Sequence, residues 1–202
     1  MGDETSARTR RLGATAMCLA TMCTGLMAGV VLAYAIAVMP GLEQAGDQSF
    51  VDAFQRIDHA LDRRLWFWMA IFLGGMGFVL LSLAFTAKSS IKSPRTWLVI
   101  AAVLYAATIA VTGLGIDPLE NAFGDAADSS AAVDPSMVRA ALDEDRWVLL
   151  NNLRLATTTA AFASMAWSLV VFGRSHEPDP SGGAMPTPQT PAASKGDVAG
   201  RS

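Results

Sequence analysis

Side chains able to do chemistry crowd into Asp145-Arg146-Trp147-Val148-Leu149-Leu150-Asn151-Asn152-Leu153-Arg154, directly ahead of about twenty residues apolar enough for lipid. Trp147, Asn151 and Arg154 stand at i, i+4 and i+7, so a helix places them on one face, an aromatic wall beside amide and guanidinium donors. A polar or ionisable group this close to hydrocarbon costs free energy and therefore needs a partner or a purpose. Such a face would make a pocket with an aromatic wall and polar donors. Arg154 also has the plainer reading of a snorkelling anchor at the interface.

Other candidates lie far off in sequence and require loops to bring them in. His59 is the one side chain among them that titrates near neutrality without perturbation, which suits a general base. Gln55 precedes it by one helical turn, and Glu120-Asn121 follow a Pro-Leu pair. One histidine with scattered carboxylates does not make a metal site, so no metal is expected. Phosphate-binding loops, nucleophile elbows, zinc-protease helices and dinucleotide fingerprints are all missing from the sequence.

The elements that must position these residues follow from composition. Of the 202 residues 52% are hydrophobic and 16% charged, against about 25% charged in soluble domains. Mean hydropathy is +0.36. A net charge of −3 with no basic cluster interleaved with aromatics excludes nucleic acid as a partner. Cys18 and Cys23 fall inside the first apolar run, as small apolar residues rather than a loop disulfide, which argues against thiol oxidase chemistry. His59 and His176 are the two histidines, and neither lies where a haem in a four-helix core would need a ligand.

The expected fold is all-α: a four-transmembrane-helix bundle with an amphipathic helix in the first long loop and a disordered C-terminal tail. Residues 1–11 form a polar N-terminus, 12–174 the membrane domain and 175–202 the tail. The spans are expected at about 12–39, 66–87, 96–116 and 152–173. Pro40-Gly41 is expected to end the first. Gly25, Gly29, Ala33 and Ala37 recur every four residues, as do Ala156, Ala160, Ser164 and Ser168, and such stripes serve an internal bundle or a dimer equally, leaving the oligomeric state open.

Phe50, Phe54, Ile57, Leu61 and Leu65 share one side of a helical wheel, opposite an edge carrying Gln55, His59 and Asp62. This helix is expected to lie on or run into the membrane, with Trp66, Phe67 and Trp68 as an interfacial belt. A second long loop is expected from Asp117 to Asp145, containing a short helix at Pro135–Leu142 capped by Asp134. The Pro/Gly/Ser/Ala-rich tail lacks apolar periodicity.

Nine of the 15 Lys/Arg fall in the N-terminus, the turn between spans two and three, and the tail, while thirteen of the 18 Asp/Glu fall on the other side. Positive-inside counting then puts both termini in the cytoplasm of a cell-membrane protein and both long loops outside. Gln55, His59, Glu120, Asn121, Trp147, Asn151, Asn152 and Arg154 would then meet at one membrane face.

In order and spacing, the chain resembles the anthrone oxygenase-like family of small four-helix membrane proteins. The matching residues are Gly29 with Val38-Met39-Pro40-Gly41-Leu42, then Phe50 and Gln55, Pro118-Leu119, and Trp147, Asn151, Leu153 and Arg154, spanning about 25–172. His59 replaces an expected Asn, Asp117-Pro118-Leu119-Glu120 replaces an Asn-x-Pro-Leu-Asn-like run, and Leu150 and Leu155 stand where an aromatic and a Thr are usual.

The resemblance implies an oxygenase without cofactor that takes an anthrone to an anthraquinone with O2. Its substrate would be a hydrophobic aromatic small molecule reached among membrane lipids. In that reading His59 is the base, Glu120 orients it, Arg154 and Asn151 stabilise the enolate oxygen, Trp147 stacks on the rings, and Gln55 and Asn121 also bind the substrate. The alternative is a non-catalytic membrane protein that binds a hydrophobic ligand or a partner.

Overall fold

A computed structural model of the chain describes residues 2–87, 92–128 and 134–175. The expected tail from 176 onward with His176, the turn carrying Lys88, and the Ala/Ser-rich stretch 129–133 lie outside the described residues. Among the described residues the structure is helical, without strands, and four helical segments are long and apolar enough to cross a membrane: Ala7–Glu43, Leu65–Thr86, Pro94–Asp128 and Pro135–Arg174.

Helix α1, Gly2–Ala33, runs through a π-helical turn at Tyr34–Val38 into the short α2, Met39–Glu43. Pro40 was expected to end this segment, and it does not. A proline lacks the N–H that an α-helix would direct to the carbonyl four residues back, and its ring crowds that carbonyl. Here the backbone widens first, Met39 N–H reaching Tyr34 O across five residues, and Pro40 takes an early position in α2 where no donor is owed.

The same device recurs. Helix α5, Lys92–Val111, passes through a π-turn at Thr112–Ile116, closed by Asp117 N–H to Thr112 O, and continues as α6, Asp117–Asp128, with Pro118 in its first turn. The expected loop from Asp117 is therefore mostly helix. After it, α7 spans Pro135–Ala141, and Asp134 caps it as expected, its Oδ1 accepting from Ser136 N at 3.0 Å. Asp143, in the left-handed region at φ 51°, turns the chain into α8, Glu144–Arg174; Asp tolerates that conformation better than most residues.

Between these rods, α3 spans Asp47–Asp62 and α4 Leu65–Ala87. The amphipathic α3 forms as expected, and the first half of its apolar face packs against protein while Ile57 and Leu61 further along stay only half-buried. Phe50, Val51 and Phe54 join Phe123 of α6, Val138 and Leu142 around α7, and Met39, Ile116 and Trp147 in one buried cluster. Phe54 and Phe123 meet edge to face at 4.9 Å between centroids, a geometry favoured by ring quadrupoles. Three short helices thus build a cap with its own core at one end of the bundle.

Within the bundle α1 packs on α4 and α8, and α5 on α4 and α8. Met17, Ala20, Val79, Leu98, Ala101 and Met165 fill the end remote from the cap. Buried hydroxyls are satisfied along or across helices, as a medium without water demands. Tyr105 donates to Phe72 O at 3.1 Å, Ser168 to Pro94 O at 3.0 Å, and the Thr108 and Thr158 hydroxyls lie 3.2 Å apart. Leucines such as Leu26, Leu73 and Leu153 point outward, as lipid-facing positions should. Of the small-residue stripe on α1, Gly25 lets Phe162 of α8 approach so closely that a Cβ would stand 2.9 Å from its ring.

Candidate functional site

The site lies where the cap meets the bundle, between α1 with its π-turn, the start of α6 and the first turns of α8. Trp147 is 1% exposed. Its Nε1 donates to Glu120 Oε1 at 3.1 Å, and its rings lie 5.9 Å from the Tyr34 ring, centroid to centroid. One turn on, Asn151 is equally buried; its Oδ1 accepts from Arg154 Nη2 at 2.8 Å, and its Nδ2 points to Val31 O at 3.5 Å. A hydrogen bond to a charged donor is stronger than a neutral one, which makes the Asn151–Arg154 bond the firmer of these two.

Arg154 Nε is buried with no hydrogen-bond partner among the described residues. The Glu120 and Asp117 carboxyls and the Tyr34 hydroxyl lie close enough to act on this guanidinium. A half-buried cation therefore sits near acidic groups, held by an amide and with its buried Nε donor still free. The arrangement can bind and stabilise a small anionic oxygen, provided that oxygen can reach it.

Beside the cluster a cavity of about 490 Å³ opens between α1–α2 and α7–α8. Ala35, Met39, Trp147, Val148, Asn151 and Asn152 form part of its lining, with Glu43, Arg139, Glu144 and Asp145 also on its wall. That volume falls within the range of small-molecule sites. Glu120 and Arg154 stand behind Trp147 and Asn151 rather than on the cavity wall.

Arg139 fixes one side of the opening. Its guanidinium pairs with Glu144 at 2.6 Å and Asp47 at 3.1 Å, donates to the carbonyls of Ala45 and Glu43, and lies 4.5 Å from the centre of the Phe50 ring. It so ties the α2–α3 turn to the α7–α8 turn. Outside the membrane-spanning segments, burial, and then the charge of Asp62, push the Asp58 carboxyl up, with His59 pulling it back. Hydrogen bonds from Ser136 hold the Asp134 carboxyl down.

Of the residues singled out from sequence, Glu120, Trp147, Asn151 and Arg154 come together. Gln55 is half-buried on α3, and Asn121 is exposed. His59 is exposed too, sharing a shallow depression with Arg56, Asp62 and Arg63. Glu120, expected to orient His59, instead holds Trp147. Among the described residues no three His, Cys, Asp or Glu side chains are grouped as metal ligands would be.

Sequence reasoning missed Tyr34, Asp117 and Arg139. Tyr34 carried one signal, an isolated tyrosine six residues before a proline in an otherwise aliphatic span. Arg139 carried another, a lone cation within an acidic stretch. Asp117 carried none beyond its place before Pro118.

No curated protein and no solved structure matches the chain. A family model does, that of the anthrone oxygenases, over residues 64–164. The matched segment runs from the start of α4 into α8 and contains Glu120, Trp147, Asn151 and Arg154, the four residues that the fold draws together. Half of the chain, including most of the buried polar cluster, thus follows the family pattern, and this four-helix membrane protein belongs to the anthrone oxygenase family.

Proposed function

We propose that this protein oxidises an anthrone-like aromatic ketone with O2 at the junction of cap and bundle. The observation that carries the reading is the Glu120–Trp147 and Asn151–Arg154 pair of hydrogen bonds beside a cavity of about 490 Å³, within the family-matched segment. The substrate enters the cavity and turns the Trp147 indole away from Glu120. The freed carboxylate takes a proton from the central methylene. Arg154 and Asn151 stabilise the enolate oxygen, as preorganised donors do in a water-poor site. The electron-rich enolate passes electrons to O2, a C–O bond forms, and loss of one water leaves the quinone, so anthrone and O2 become anthraquinone and H2O.

His59 lies too exposed to share in this, and Glu120 takes the role of base. Oxygen uptake and quinone absorbance with 1,8-dihydroxyanthrone, on purified protein in detergent, test the assignment. Glu120→Gln and Arg154→Gln should each lower kcat by about a hundredfold. Wild-type protein no faster than a detergent blank overturns the activity. Loss of rate in His59→Ala but not in Glu120→Gln returns the base to His59.

A second reading draws on the position of Glu120 and Arg154 behind the cavity wall. There the cluster is structural and the cavity binds a hydrophobic ligand without turning it over. Saturable quenching of Trp147 by the anthrone, with no quinone formed, would favour it. In either case we place both termini in the cytoplasm and the cap outside.

A further inference from the structure

At the junction of α3 and α4, away from the site above, we propose a binding place for the headgroup of an anionic phospholipid. A depression of about 530 Å³ is lined by Ile57, Ala60, Leu61, Arg63, Arg64 and Trp68. Its apolar floor with two guanidiniums matches an amphiphile, with phosphate at the arginines and the start of an acyl chain on the floor. Its place in the fold matches too, since the apolar span of α4 begins at Leu65. Trp66, 76% exposed, stands beside it, where indoles favour the headgroup region.

Charge decides the class of lipid. Arg63 is shared with the neighbouring depression formed with Arg56, His59 and Asp62. Asp62 and the half-buried Asp58 are the carboxylates closest at hand on α3. Among the described residues, however, both ion pairs within 4.0 Å belong to Arg139, so Arg56, Arg63 and Arg64 hold no carboxylate at that distance. Three exposed guanidiniums left unpaired at a membrane boundary attract anionic headgroups, each with on the order of a fivefold preference at most.

The test uses the full-length protein carrying Trp97→Phe and Trp167→Phe, which leaves Trp66, Trp68 and the buried Trp147, so that quenching from the lipid reports Trp66 and Trp68. It is reconstituted in phosphatidylcholine vesicles containing either brominated phosphatidylglycerol or brominated phosphatidylcholine. The brominated anionic lipid should quench as if bound about fivefold or more tightly. Arg63→Gln with Arg64→Gln should bring that ratio close to one, while Arg63→Lys with Arg64→Lys, retaining the charge, keeps most of it. Helical circular dichroism checks that each variant is folded. Equal quenching by the two lipids, or an undiminished ratio in the glutamine variant, overturns the proposal. So does abolition of the ratio by millimolar glycerol phosphate, which would make this a site for small soluble phosphates.

Discussion

Arg154 concentrates the physics of the site. A guanidinium near hydrocarbon needs its donors occupied, and Asn151 Oδ1 supplies one bond at 2.8 Å while Nε is left without one. Removing the amide should therefore cost more than removing an average hydrogen bond, because the charge stays behind. Asn151→Ala is expected to lower stability by about 2 kcal/mol, read as an earlier midpoint in denaturant unfolding from detergent micelles. If the midpoint does not move, the Asn151–Arg154 bond carries no net energy and the oxyanion role of the pair loses its anchor. This much was legible beforehand, since Trp147, Asn151 and Arg154 share a helical face by spacing alone. Tyr34 was not, because its contact with Trp147 crosses from the first span to the last, and periodicity within one helix cannot register that.

Two elements share one irregularity. Each π-turn, at Tyr34–Val38 and Thr112–Ile116, precedes a proline by two residues, and each delivers a side chain to the cluster, Tyr34 in the first case and Glu120 just beyond the second. Read from sequence, Pro40-Gly41 and Asp117-Pro118 mark helix ends, because an α-helix cannot supply the bond that a proline lacks. The π-turns remove that conflict, and helices expected to stop run on into the cap. An extra residue in a turn also sets rotation. Deleting Gly113 should return this turn to α register and rotate α6 by about 100° relative to α5, carrying Glu120 away from Trp147. The deletion variant, if it retains its helical circular dichroism, should lose the Glu120–Trp147 bond and show activity no higher than Glu120→Gln. Wild-type activity would mean that the π-turn is incidental to the site.

For the molecule as a whole, the two ends of the bundle are unlike. The four spans were legible from runs of apolar residues, and α3 from its amphipathic wheel, but the cap was not, because Phe123, Val138 and Leu142 become a core only when Phe50 and Phe54 are laid against them. The cap, the polar cluster and the unpaired arginines of the α3–α4 junction all lie at one end, whereas the start of α1 and the end of α8 lie at the other.

That asymmetry ties both proposals to a side of the membrane. Lysine and arginine are enriched on the terminal side and carboxylates on the cap side, so the cap should face outward. With Cys18 and Cys23 replaced by serine, a cysteine at Asp125, exposed on α6, should react with a membrane-impermeant maleimide in intact cells. A cysteine at Arg10 should react only after permeabilisation. The opposite pattern would put the cap in the cytoplasm. It would also move the anionic headgroups sought by Arg63 and Arg64 to the inner leaflet, and open the cavity at Trp147 to substrates made inside the cell rather than met outside it.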